Sequence, residues 1–194
     1  MNLGKEQGRP RPAPAIAPRW PAALSFVLLA AAAPPVTIEP GAPQYAAGAD
    51  EYRRLWRSEG ARIAAALEAE TGLAFPPEPI DVIVEEVRPM TSYDGRTIWL
   101  RASYSPAYKK GTLVHELGHR LALTLENHGG LDDHRLLYLF LYDSWTDLYG
   151  RDFADHMVSI ERRIGPNYDA AWTWALAMTR EERRERLRRL REGE

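Results

Sequence analysis

The chain has 194 residues, 45% of them apolar and 27% charged, with a net charge of −2 and no cysteine. These fractions belong to an ordinary globular protein and exclude wholesale disorder and collagen-like repetition, and the length suits one domain with at most a tail. The lack of cysteine removes disulfides, thiolate metal sites and cysteine nucleophiles together, so any metal must be held by Asp, Glu or one of the five His.

Residues 1–47 stand apart as a Pro/Ala-rich leader. Their first part carries Lys5, Arg9, Arg11 and Arg19 against the single acid Glu6, and an uncharged run follows from Pro21 to Ala33. A basic region, an apolar run and then small residues is the layout of a secretory signal peptide. A disordered leader is the other reading, so exported and cytoplasmic locations both stay open. The run is shorter than the ~20 apolar residues of a transmembrane helix, so no stable membrane span is expected.

Residues 48–194 read as a single domain. Asp50 to Thr71 is helical, with Tyr52, Leu55, Trp56, Ile63, Ala66 and Leu67 at mostly three- and four-residue spacing and Gly72 placed as a C-terminal cap. Pro76, Pro77 and Pro79 break the chain before a strand at Ile80–Val84. Asp94-Gly95 is a hairpin-type turn that leads into a second strand, Thr97–Arg101. Beyond Gly111 the pattern is helical over roughly 111–127, 132–149, 152–164, 167–178 and 180–192. The fold class is α+β, mostly α: an N-terminal helix, a small β-sheet, then a run of C-terminal helices.

The stretch Leu113-Val114-His115-Glu116-Leu117-Gly118-His119 contains H-E-x-x-H. On a helix, residues i and i+4 lie on one side, so His115 and His119 can share a metal. Glu116 is turned about 100° from His115, where a general base for a metal-activated water would stand. Two His decorating a surface helix is the bland alternative, but Leu113, Val114, Leu117 and Leu121 mark this helix as buried.

With a strand upstream and a helical second half, this motif resembles the zincin metallopeptidases, as a compact gluzincin-like member. The resemblance covers roughly residues 97–150 and is specific at H-E-x-x-H. It departs from the metzincin pattern, which has a third His where this chain has Leu125. It implies one zinc ion per chain, a peptide or protein substrate, and hydrolysis by a metal-activated water with Glu116 as base.

A zinc site needs a third protein ligand and an open position. Glu126, His128, Asp132, Asp133, His134, Asp143 and Asp147 are candidates. If the motif helix and the next one form a hairpin that pivots at Gly130, Asp143 falls midway between the levels of His115 and His119. His134 then falls opposite Glu126, roughly 10 Å along the axis from His119. Asp143 is therefore the expected third ligand. Asp147, one turn further along the same face, is the expected hydrogen-bond partner of a ligand His. In that role Asp143-x-x-x-Asp147 resembles the gluzincin acid pair, with Asp replacing Glu. Asp is one methylene shorter, so the helices must approach closely, and Gly118 permits it. The alternative for both acids is pairing with a buried cation.

Tyr104, Tyr108, Tyr142 and Tyr149 are conceivable oxyanion donors. The strand at 96–103 is a candidate edge for an extended substrate. His128 and His156 read as ordinary polar residues, and Trp145, Trp172 and Trp174 as core. Glu181–Glu192 interleaves both charge signs behind a Thr179/Glu182 capping box; it reads as a solvated helix, with no nucleic-acid role. The rival to a peptidase is a non-catalytic zincin-like binding or regulatory protein with a structural or lost metal.

Overall fold

A computed structural model describes Met1 and residues 33–194, so most of the signal-like stretch lies outside the described residues. The fold is α+β and mostly α. Regular structure begins inside the span read as leader, with β1 (Val36–Pro40) and a 3-10 turn (Pro43–Tyr45). The long helix α1 (Ala46–Thr71) follows, closed by Gly72, whose φ of 65° puts it in the left-handed region that favours glycine. Next come β2 (Ile80–Glu85), β3 (Met90–Thr91) and β4 (Thr97–Arg101).

The sheet runs β1-β2-β4-β3, with β1, β2 and β4 parallel and β3 antiparallel to β4. Ile80, Val82 and Val84 of β2, with Ile98 and Leu100 of β4, alternate onto one face and are fully buried or nearly so. That face meets α1 and the motif helix. The Asp94-Gly95 turn joins β3 to β4: Gly95 has φ 69°, and the Asp94 carboxylate accepts from Ser92 Oγ and Arg96 N. β4 is thus an interior strand, and the exposed edge near the motif helix belongs to two-residue β3, which the sequence pattern did not mark.

The motif helix α2 spans Pro106–Ala122, five residues earlier at each end than the periodicity suggests. Ser105 caps it by accepting from Tyr108 N, and Pro106 supplies the first helical φ. Residues 123–132 form the connection, with Gly129 and Gly130 both at positive φ.

The expected single helix over 132–149 is two. α3 (Asp133–Tyr138) starts at an Asp132 cap, and α4 (Leu141–Tyr149) follows a tight turn through Leu139 and Phe140. At that break Leu137 and Phe140 press against Gly118. A Cβ there would lie 2.5 Å from Leu137 Cδ1 and 3.3 Å from Phe140 Cε2. Gly118 therefore does bring helices together, but its neighbours are Leu137 and Phe140.

α5 (Arg151–Glu161), α6 (Pro166–Leu176) and α7 (Arg180–Arg191) complete the chain. Trp145 and Trp172 are fully buried in the core, whereas Trp174 is half-buried under Arg186. α7 begins with the Thr179/Glu182 capping box and clamps the far end of α1. Arg180 and Arg184 both donate to the buried carboxylate of Glu70, at 2.5 to 2.8 Å, and Arg191 donates to Thr71 O. No helix among the described residues is long and apolar enough to cross a membrane.

Candidate metal centre

His115 and His119, one turn apart on α2, face the first residues of α3, where His134 completes a three-imidazole cluster. One nitrogen from each ring lies within 4.8 Å of the other two, a set that can hold a metal ion. The Nε2 atoms of His115 and His119 are 3.1 Å apart. Two nitrogens each bound to one tetrahedral zinc stand about 3.3 Å apart, so this pair fits without rearrangement. His115 is buried, and His119 and His134 are half-buried at the floor of a cleft of about 490 Å³.

Sequence reasoning weighed His134 but set it too far along the axis, because α2 ends five residues earlier than expected while α3 starts where its cap predicts. With α2 ending at Ala122 and α3 beginning at Asp133, the connection centres near Asn127 and His128 rather than Gly130. The level of His119 then falls within α3.

The two acids expected at the metal lie elsewhere. The Asp143 carboxylate is buried and held by Arg183 through Nε at 3.0 Å and Nη2 at 2.7 Å. Asp147 receives Arg180 at 2.9 and 2.5 Å. The turn at Leu139–Phe140 directs α4 away from the cleft, and the α7 arginines answer both carboxylates. For Asp143 this is the alternative that burial demands, a buried cation of its own; Asp147 is exposed and pairs with Arg180 at the surface.

The carboxylate behind the His cluster is Glu161, at the end of α5. Its Oε1 lies 2.7 Å from His115 Nδ1, while Oε2 accepts from Tyr138 Oη at 2.8 Å and Trp172 Nε1 at 3.0 Å. That contact fixes the proton on Nδ1 and turns the Nε2 lone pair toward the other imidazoles. Sequence reasoning missed Glu161. Its only signal was an acid within an otherwise apolar stripe of α5, among Ala154, Met157 and Val158.

Glu116 points to the same cleft. Thr91 Oγ1, on edge strand β3, donates to Glu116 Oε2 at 2.8 Å and also contacts the Glu116 carbonyl at 3.0 Å. Burial raises the Glu116 carboxyl above its ordinary value, against the opposing pull of His115, Thr91 and Arg88. Burial holds His119 well below the ordinary histidine value, with the charge of His115 adding to it. Burial disfavours charge on His115 too, but the adjacent Glu161 carboxylate overcomes this and raises it. Burial and His115 bring His134 down to about 4, leaving its ring neutral near neutrality and free to donate a lone pair.

Of the tyrosines weighed, Tyr142 donates to Asp155 and Tyr149 packs on Phe153, both away from the cluster. Tyr104 and Tyr108 stack on one another in a second pocket beside it. Two other tyrosines stand at the cluster: Tyr168 of α6, its ring 4.2 Å from that of His134, and Tyr138 of α3, its ring 5.6 Å from the same imidazole. His128 lines the cleft with a ring nitrogen on Leu125 O, and His156 lies exposed on α5. No protein-family model, curated protein or solved structure matches the chain.

Proposed function

We propose that this protein is a zinc-dependent metallopeptidase, with His115, His119 and His134 as zinc ligands and Glu116 as general base. The observation that carries the reading is the convergence, at the floor of one open cleft, of three imidazoles and a carboxylate held by a neighbouring strand. The H-E-x-x-H likeness to zincins supports it from the sequence side. Two of the three imidazoles, His119 and His134, keep partial exposure to an open cleft, which favours a working site over a closed structural one.

Zinc in this position supplies a Lewis acid and lowers the pKa of a bound water toward about 7. Thr91 engages Glu116 Oε2 and orients the carboxylate. Among the described residues Oε1 has no hydrogen-bond partner, so it is the atom that takes a proton from the attacking water and returns it to the leaving amine. The raised carboxyl of Glu116 suits both halves of that transfer. Glu161 keeps the His115 ring turned toward its partners. The free edge of β3, directly beside Glu116, offers backbone groups to an extended peptide.

The test is zinc content by elemental analysis, together with cleavage of a randomised peptide library read by mass spectrometry. One zinc per chain is expected, with peptides cut by the wild type and uncut by Glu116→Gln that still holds zinc. A zinc-loaded wild type that cuts nothing, or equal cutting by Glu116→Gln, overturns the reading.

A further inference from the structure

Next to the metal cleft lies a second pocket of about 330 Å³, lined by Arg88, Arg101, Tyr104, Tyr108, Ile164 and Tyr168 among others. It shares His115 and Glu116 with the first, so a ligand seated in it touches the reacting centre. Arg88 stands on the divide and lines both. Its Nη2 donates to Tyr168 Oη at 2.7 Å, and the guanidinium lies 5.6 Å from the centre of the same ring. This is an arginine held in place by an aromatic partner rather than by an acid.

Its surroundings make that unusual. Arg101, in the same pocket, has its charge answered by Glu86 at 3.1 Å and also donates to Val87 O. Arg88 has no carboxylate within ion-pair distance among the described residues, although its charge acts on Glu116 in the same pocket, and one donor bond leaves most of its five N–H groups free. One wall of the pocket is apolar, with Tyr104 and Tyr108 stacked at 4.0 Å and Ile164 45% exposed. The carboxylates of Glu161 and Glu116 also line it, the first engaged by His115, Tyr138 and Trp172 and the second by Thr91.

We propose that this second pocket is a carboxylate-binding subsite with Arg88 as its anchor. Its substrate is a peptide carrying a carboxylate, from an acidic side chain or a free C-terminus, beside the bond presented to the three imidazoles. The proposal rests on the peptidase reading. A planar fork of donors on a carboxylate gives charge and direction together, and the tyrosine and isoleucine wall receives the apolar part of the residue.

The test uses the zinc-loaded protein and two randomised hexapeptide libraries, one with free C-termini and one amidated. Wild type is expected to favour carboxylate-bearing peptides. Preference confined to the free library assigns the terminal carboxylate, and preference for Asp or Glu in the amidated library assigns the side chain. Arg88→Gln should reduce the carboxylate-to-neutral ratio about 10- to 100-fold, the scale of one charge-assisted pair, and Arg88→Lys should restore part of it. Cleavage indifferent to carboxylates, or a preference unchanged in Arg88→Gln, overturns the subsite and leaves the peptidase reading standing. If nothing is cleaved, the same libraries are passed over immobilised Glu116→Gln protein. Carboxylate-dependent retention that Arg88→Gln abolishes then supports the subsite while the peptidase reading falls, and no such retention overturns both.

Discussion

Glu161 meets His115 across 46 residues of chain, Oε1 to Nδ1 at 2.7 Å, and the same carboxylate gathers Tyr138 and Trp172 on its other oxygen. One buried acid thereby joins α2, α3, α5 and α6 at the back of the three-imidazole cluster. Partners of this kind fix the ring that faces a metal and are worth about 10- to 100-fold in metal affinity. Glu161→Gln should weaken zinc binding on that scale, measured by competition with a chelator. Glu161→Ala should also lower folding stability by about 1–3 kcal/mol, because the Tyr138 hydroxyl and Trp172 indole lose their acceptor. Unchanged zinc affinity in both variants would refute the role.

His134 and Asp143 separate two accounts of the third ligand. His134→Ala should lose most of its zinc and remain folded, since the ring is half-buried at a cleft. Asp143→Asn should keep zinc but unfold more easily by about 3–5 kcal/mol, since it leaves buried Arg183 without its counter-charge. Zinc lost from Asp143→Asn at a temperature where it is fully folded would reverse the assignment.

The metal-free protein should lose stability as acid is added. Burial brings His134 down to about 4 and holds His119 well below its ordinary value. For these two the unfolded chain binds the proton more readily. Their contribution is whole above the ordinary value of about 6.5 and is lost progressively as pH falls from there toward their lowered values, about 4 for His134. His115, raised by Glu161, has the opposite sign: its contribution is whole below about 6.5 and lost as pH rises through its higher value. With two rings lowered and one raised, the chelator-treated protein should melt lower at about pH 5 than at about pH 7, with His134→Asn flattening the slope. Zinc-loaded protein should show a steeper fall, because protons compete with the metal for the same nitrogens. A metal-free melting temperature that is level or higher at the acid end contradicts this.

Gly118→Ala puts two effects in opposition. Alanine in a helix interior is favoured over glycine by about 1 kcal/mol. Against that, the new methyl meets Leu137 Cδ1 at 2.5 Å within a fully buried layer, and overpacking of this kind costs about 1–3 kcal/mol. The clash should win, with a lower denaturant midpoint. Because Leu137 shares α3 with His134, zinc affinity should fall as well.

The parts of this molecule that were legible in its sequence are those fixed by short-range chemistry. H-E-x-x-H places two rings on one helix face from spacing alone, Gly72 closes α1, and Asp94-Gly95 turns the hairpin. β1 was hidden because Val36–Pro40 is a short run among prolines whose place depends on pairing with residues 80–84. β3 is only two residues long. The third imidazole depended on where α2 stops and on a break at Leu139–Phe140, inside a segment that is apolar nearly all round. Periodicity carries no mark there, since the break is made by packing against Gly118. Asp143 had the right residue type for a ligand, but its partner Arg183 lies 40 residues on, in a helix whose arginines read as solvated.

The Glu70 carboxylate has a side-chain exposure of 1%, and its partners Arg180 and Arg184 come from the last helix. A chain that stops short of Arg180 would have to bury that charge with no counter-ion or leave the end of α1 undone. During synthesis the latch on the end of α1 is therefore closed only after α7 has cleared the ribosome. Prematurely ended chains would show themselves to proteases by an unlatched first helix.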